Sequence, residues 1–330
     1  MPQLSRTYAI GRIRPLERTL LTPSTLERLI AAPSLQELAR ALSDAGWGDA
    51  QDQTGIEALA DGHVARVCKL MREIMPDESV LSCFLIKYDM LNLKALIKAR
   101  LLRDEDPPLS ENGLIDLNKM KRCVSDSNYA FLPAEFPPVL GQIEQRIAVD
   151  PDPFLVDSLL DKLMFDIIMK RLEADKECPD EIKRYFSARA DATNLLIALR
   201  VAAMGHDADF AADLFVPGGK ITVNALKAVV SEPQEILNAA KYLPFAAYVR
   251  RGLELYEQGE GLAPMEKQLE DYGLSIFRER RFESDSILPV VGYLLARERE
   301  ASAVRLIVTA KAAKVPEDAL SKRMRRLYTD

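Results

Sequence analysis

Asp89, Asp191 and Glu300 are carboxylates that recur at intervals of about one hundred residues. A pair of such groups can move protons as general acid and base. Each is embedded in the same local pattern: Asp89-Met-Leu-Asn92-Leu93-Lys-Ala-Leu96-Ile97, then Asp191-Ala-Thr-Asn194-Leu195-Leu-Ile-Ala198-Leu199, then Glu300-Ala-Ser-Ala303-Val304-Arg-Leu-Ile307-Val308. Apolar or small residues follow the carboxylate at offsets of four, seven and eight, which is one side of a helix with 3.6 residues per turn. Equivalence in three copies argues against catalysis, because a working pair has to come from different copies facing one another. The expected role is structural: hydrogen bonds or salt bridges that position each helix. Asn92 and Asn194 lie on the apolar stripe, so they are expected to hydrogen-bond in the core; Ala303 stands at the same point of the third copy.

Other chemistry fails on composition and spacing. The two histidines, His63 and His206, fall on different elements and lack Cys or His neighbours at ligand spacing, which argues against a zinc site or a Ser-His-Asp triad. His206-Asp207 after Gly205 reads as the polar loop that ends a helix. Gly218-Gly219-Lys220 invites a phosphate-loop reading, but Leu214 stands where the first glycine is required and Ile221 where Ser or Thr is required. The glycines are expected to form a turn between helices. Cys68, Cys83, Cys123 and Cys178 are widely spaced with no C-x-x-C, as expected of thiols in a reducing compartment. No catalytic, cofactor-binding or metal-binding residue is expected, and no cofactor.

The elements that position the carboxylates repeat as well. Helical patterns run through 56–75, 154–174 and 269–281, each ahead of a carboxylate-bearing helix across a short connector such as Pro76-Asp77-Glu78 or Cys178-Pro179-Asp180. Two helices joined so closely are expected to form antiparallel hairpins. Leu26, Leu117 and Val223 begin short helices, with Leu29, Met120 and Leu226 three residues later and a breaker after each. No sustained strand alternation is present. The fold class is therefore all-α, in three similar helical modules spanning 1–108, 109–214 and 215–330, with the short helices free to pack across modules. A hydrophobic fraction of 48% can fill a core of that size. The net charge of −6 argues against a generic nucleic-acid binder. No stretch approaches the ~20 apolar residues that cross a bilayer, and no secretory signal is visible. Two basic features stay open between a partner role and a local one. The cluster Lys322-Arg323-Met324-Arg325-Arg326 suits acidic headgroups or a helix C-terminus, and Tyr8, Arg12 and Arg14 suit a partner or packing within the module.

Several blocks carry a family resemblance. They are Leu85-Ile-Lys-Tyr-Asp-Met-Leu-Asn-Leu-Lys-Ala-Leu-Ile97, Tyr185-Phe-Ser-Ala-Arg-Ala-Asp191 through Asn194 and Arg200, and Val290-Val-Gly-Tyr-Leu-Leu-Ala-Arg-Glu-Arg-Glu300 followed by Val304-Arg-Leu-Ile. Pro217-Gly218-Gly219 before a short helix and the opening Tyr8…Arg12-Ile-Arg14…Leu20-Leu21 fit too. Together they cover most of the chain in order, and they resemble the C-subunit family of V/A-type (vacuolar/archaeal-type) ATPases, related to the d-type stalk protein of the eukaryotic vacuolar ATPase. Ala303 departs from the asparagine usual in the family, which weakens the polar contact there. The resemblance implies a pseudo-threefold funnel of three helical domains, seated on the cytoplasmic face of the membrane proteolipid ring and receiving the tip of an axle made by the D and F subunits. It implies a non-catalytic central-stalk adapter that serves ATP-driven proton or sodium transport, or ATP synthesis. On this reading buried helices agree between modules while exposed charge differs: the fifth residue after the carboxylate varies from Lys94 to Leu196 to Arg305, and Lys94, Arg200 and Arg305 are candidate partner contacts. The competing reading is a helical-repeat interaction scaffold, which stays open where the funnel closes.

Overall fold

The computed structural model describes residues 5–104 and 106–330. All regular elements among them are helical: a 3-10 turn at Pro233–Glu235, a π turn at Tyr256–Glu260, and the α-helices. In chain order they are α1 (Arg6–Glu17), α2 (Pro23–Ala31), α3 (Leu35–Asp44), α4 (Gln53–Ile74), α5 (Glu78–Leu102), α6 (Leu117–Ser125), α7 (Phe136–Val149), α8 (Pro153–Ala174), α9 (Asp180–Met204), α10 (Ala208–Leu214), α11 (Val223–Ser231), α12 (Ile236–Ala240), α13 (Ala246–Leu255), α14 (Ala263–Arg278), α15 (Leu288–Ala312) and α16 (Glu317–Arg323). The periodic stretches expected from sequence correspond to α4, α8 and α14, with ends shifted by a few residues.

The helices begin and end where local chemistry dictates. Asp152 caps α8 by accepting from the Phe154 N–H at 2.8 Å, and Pro153 follows at a position where no N–H is needed. Asp180 and Glu181 place negative charge in the first turn of α9. Its far end stops at Gly205, whose φ of 75° is open to glycine, and the His206 N–H returns to the Val201 carbonyl at 3.2 Å. Asp207 then caps α10 through the Phe210 N–H at 2.7 Å.

The chain forms two compact units. One comprises the residues up to Asp77 together with Leu255–Asp330, the other Glu78–Glu254. In the first, α15 is the central helix. It is buried on nearly all sides from Leu288 to Ala310, and it packs along α4 and against α14, α1 and α3. In the second, α5 packs along α8, α7 covers α8, and α10 and α11 lie on α9. Each fully buried Leu, Ile or Phe in these contacts contributes about 1.5–3 kcal/mol relative to exposure.

This pairing corrects two of the three expected hairpins. The principal partner of α4 is α15, and the principal partner of α8 is α5; only α14 packs closely on the helix that follows it. Short connectors do not compel a hairpin when each long apolar helix finds a wider complementary face elsewhere. One register also differs. The first short helix begins at Pro23 rather than Leu26, so the residue equivalent to Met120 and Leu226 is Leu26, buried like them, and not Leu29.

Candidate functional site: a carboxylate clasp used three times

The carboxylates Asp89, Asp191 and Glu300 sit near the middle of α5, α9 and α15 and are all but fully buried. The residues at offsets four, seven and eight share that burial, except half-buried Leu96. Each carboxylate closes on the loop that leads into a short helix. Asp89 accepts from the Leu114 N–H at 2.9–3.0 Å and the Ile115 N–H at 3.0 Å, just ahead of α6. Asp191 Oδ1 accepts from the Lys220 N–H at 2.7 Å and the Ile221 N–H at 2.9 Å, just ahead of α11. Glu300 Oε1 accepts from the Leu21 N–H, just ahead of α2. The third clasp thus joins the last long helix to the first short one. The repeat runs from a long helix to the short helix after it, and the chain termini interrupt it.

One loop position explains how close the carboxylate comes. A Cβ on Gly113 would lie 2.1 Å from Asp89 Oδ1, and one on Gly219 would lie 2.3 Å from Asp191 Oδ1. Glycine is required there for close approach rather than for phosphate binding. The residue in register in the third loop is Thr19, and there the acid is a glutamate, one methylene longer. After each loop an oxygen caps the short helix: Asp116 takes the Lys119 N–H at 2.8 Å, Thr222 the Ala225 N–H at 3.3 Å and Thr22 the Thr25 N–H at 3.2 Å.

The asparagines add a second lock one helical turn on. Asn92 Nδ2 donates to the Ser110 carbonyl and its Oδ1 accepts from the Ser110 N–H, both at 2.8 Å. Asn194 does the same to Val216, at 2.9 and 2.7 Å. The residue in register in the third loop is Leu16, in the last turn of α1, where its own N–H is used within the helix. Its carbonyl accepts from the Thr19 N–H at 3.0 Å and the Thr19 hydroxyl at 2.7 Å, with Arg297 Nη2 a further donor at 3.4 Å. Ala303 therefore suffices where the other copies need an amide. Arg297, which sequence reasoning did not single out, replaces the missing polar contact. Its Nη1 donates to Glu300 Oε2 at 2.8 Å and to the Thr19 carbonyl at 3.2 Å, its Nη2 to Thr19 Oγ1, and its Nε to the Tyr293 hydroxyl at 3.0 Å. The signal was available: an arginine three residues before the glutamate, on the same helical face. Ala303 is buried, so Ala303→Leu is expected to overpack the site and cost about 1–3 kcal/mol. An unchanged urea midpoint would contradict that placement.

A cation from the end of the long helix secures the short helix in two copies. Arg100 Nη1 donates to the Val124 carbonyl at 3.0 Å, and Lys311 Nζ donates to the Ile30 carbonyl at 2.7 Å, the equivalent positions of α6 and α2. Ala202 holds the place in α9. Arg100 also grips Glu144 at 2.6 and 2.7 Å, and Tyr129 donates to the same carboxylate. Burial works against the Arg100 charge, but Glu144 and Tyr129 outweigh it and raise its pKa.

The electrostatics fit a clasp rather than an acid–base centre. Burial pushes the Asp191 carboxyl up, opposed by the Ile221 and Lys220 N–H groups. Burial pushes Glu300 up to about 7, opposed by Arg297 and the Leu21 N–H. Each carboxylate closes on main-chain N–H groups of its own loop, so none is presented to a substrate.

The remaining candidates are placed as follows. Lys94 pairs with Asp161 of α8 at 2.6 Å, and Arg305 pairs with Asp61 of α4. The Arg200 guanidinium lies 5.8 Å from the Phe154 ring centroid. His63 stacks on Trp47 with centroids 4.0 Å apart, and burial lowers it to about 4. His206 stacks on Phe210. Lys322 and Arg323 end α16, Arg325 reaches Glu270 at 2.6 Å, and the Arg326 N–H reaches Asp271 at 3.1 Å. The four cysteines are buried thiols. Among the described residues no group of three His, Cys, Asp or Glu is arranged to hold a metal, and no helix is long and apolar enough to cross a membrane.

Comparison with known proteins agrees with this architecture over nearly the whole length. The family model for the ATP synthase (C/AC39) subunit matches residues 9–323. The C subunit of the A-type ATP synthase of Pyrococcus furiosus is 25% identical over an alignment that covers 94% of this chain and 87% of that protein. The corresponding protein of Methanocaldococcus jannaschii is 23% identical, covering 92% and 82%. The C subunit of the V-type sodium ATPase of Enterococcus hirae is 21% identical, covering 96% and 97%. The chain belongs to the ATP synthase (C/AC39) subunit family, the non-catalytic C subunits of A/V-type rotary ATPases.

Proposed function

We propose that this protein is the central-stalk adapter that couples an axle of D and F subunits to the membrane proteolipid ring, on the cytoplasmic face. Within an assembly that transports ions or makes ATP, it passes torque without turning over nucleotide. The observation that carries this reading is the threefold clasp. One long helix holds one short helix by the same buried carboxylate in all three copies, and the last copy closes onto the first helices of the chain. A linear array has no need of such closure, whereas a pseudo-threefold funnel requires it. In this proposal modules spanning 1–108, 109–214 and 215–330 present related surfaces to a rotationally repeated ring, and their differing exposed charges give a single axle one preferred seat.

The test is retention of purified proteolipid ring and of the D–F pair on the immobilised chain. The wild type is expected to hold both, at affinities that fall with ionic strength. Charge reversal at Arg200 or Arg305, with melting checked, probes whether these positions contribute. If the wild type binds neither partner, the coupling role is abandoned for that of a general interaction scaffold. The isolated chain is expected to hydrolyse no ATP, since Lys220 enters the clasp through its backbone N–H. Turnover abolished by Lys220→Ala would overturn the non-catalytic reading.

A further inference from the structure

We infer that the outer face of α1, together with the turn after α14, is a docking surface for an acidic helix of another protein in the assembly. The inference rests on the assembly proposed above and adds a site to it. The inner face of α1 buries Ala9, Ile10 and Ile13. The opposite arc exposes Tyr8, Gly11, Arg12, Pro15 and Arg18 and carries no acid. Glu17, the one acid of the helix, is turned aside and bonded to Arg14 at 2.8 Å. Arg14 also fixes the neighbouring turn, donating to the Arg281 carbonyl at 2.7 Å and the Glu283 carbonyl at 3.0 Å. That turn presents Phe282, which is 79% exposed, with the Arg281 guanidinium 4.8 Å from its ring centroid. The acids of that turn are Glu283, paired with Arg280, and exposed Glu279 and Asp285, so the acid-free part of the surface is the α1 arc. In a chain of net charge −6, an acid-free arginine arc is a local inversion of sign.

Three features select a protein helix rather than a diffuse anionic surface. Every cation on α1 is arginine, the residue whose planar fork takes a carboxylate in bidentate fashion. Arg12 is held for this, donating to the Tyr8 hydroxyl at 2.8 Å beside the exposed ring. Arginine and aromatic residues, with lysine scarce, are the composition of a protein interface. Finally, Gly11 lies in the middle of the arc, and a Cβ there would meet nothing within 4 Å. Nothing among the described residues requires glycine at that helical position. Its openness, flanked by Arg12 and Arg18, leaves a shallow lane in which a second backbone can come close.

The test uses the full-length chain with the substitution Gly11→Leu, and separately the pair Arg12→Glu and Arg18→Glu. Proteolipid ring in detergent, the D–F pair and phosphatidylglycerol vesicles serve as three probes. Both variants are expected to melt no lower than the wild type, and both to lose at least tenfold in affinity for one of the two protein probes. The charge variant should also lose the salt dependence of that binding. Wild-type binding to both protein probes with neither variant impaired would overturn the docking surface while leaving the adapter reading intact. Impairment confined to the vesicles would overturn it too, assigning the face to lipid. Failure of the wild type to bind either protein probe would remove the adapter reading and this site with it.

Discussion

Asp89→Ala is expected to destabilise the chain by about 1–3 kcal/mol, because it strips the buried acceptor from the part-buried Leu114 and Ile115 N–H groups. Leu114 and Ile115 sit in the loop ahead of α6, so no helical ladder can take over their bonds. Asp89→Asn keeps one acceptor oxygen but turns an amide donor toward another donor, and should fall between wild type and alanine. Gly113→Ala attacks the same clasp from the other side. Its Cβ would stand 2.1 Å from Asp89 Oδ1, so either the loop or the carboxylate must move. The two substitutions break one contact between them, so their combined cost should be clearly less than the sum. Urea unfolding followed by circular dichroism measures all four species. Full additivity, or an Asp89→Ala midpoint equal to the wild type, would show that the clasp does not hold the loop.

Such a clasp is half legible in a sequence. The carboxylates, the apolar offsets after them and the asparagines share one helical face, and helical periodicity is a local property that spacing reports directly. That is why α5, α9 and α15 can be aligned without a structure. The partners cannot be read the same way, because they are backbone N–H groups, which every residue except proline carries. Gly113 and Gly219 were the only visible trace of them, and a glycine in a loop has many explanations. Arg297 escaped notice for a different reason. An arginine one turn before a glutamate is a common helical pairing, and the partners that give this one its role, Thr19 and Leu16, lie at the other end of the chain. Two of the three expected hairpins were misjudged because connector length constrains only where a helix starts, whereas the area of apolar face decides what it packs on. The mutual choice of α4 and α15 is a tertiary preference, not a local one.

Arg297→Ala should have the other large effect, and one that depends on pH. Arg297 and Glu300 form a buried ion pair at 2.8 Å, and removing one partner of such a pair typically costs about 3–5 kcal/mol because the other is left charged and unpaired. The carboxyl can escape that cost by protonating. Burial already places the native Glu300 pKa at about 7, above its ordinary 4.5. A raised native pKa means that folding takes up a proton, so the stability it contributes is fully present below 4.5 and is lost as pH rises through 7. Removing Arg297 deletes a cation that opposes the shift, so the native pKa climbs further and the loss extends to higher pH. Wild type and Arg297→Ala should therefore differ least near pH 5, where Glu300 is largely protonated in both, and most near pH 8, where the variant must either hold a proton or bury a lone charge. Glu300→Gln, which cannot titrate, should flatten the decline between those values. Replacing both residues by Met and Leu should recover only part of the loss, since the Leu21 N–H would still lack its Glu300 acceptor and the Thr19 carbonyl its Arg297 donor. Urea midpoints at pH 5, 6.5 and 8 provide the measurement. A wild-type-to-variant difference that is constant across the three would mean that Glu300 stays ionised throughout, and the protonation argument would be wrong.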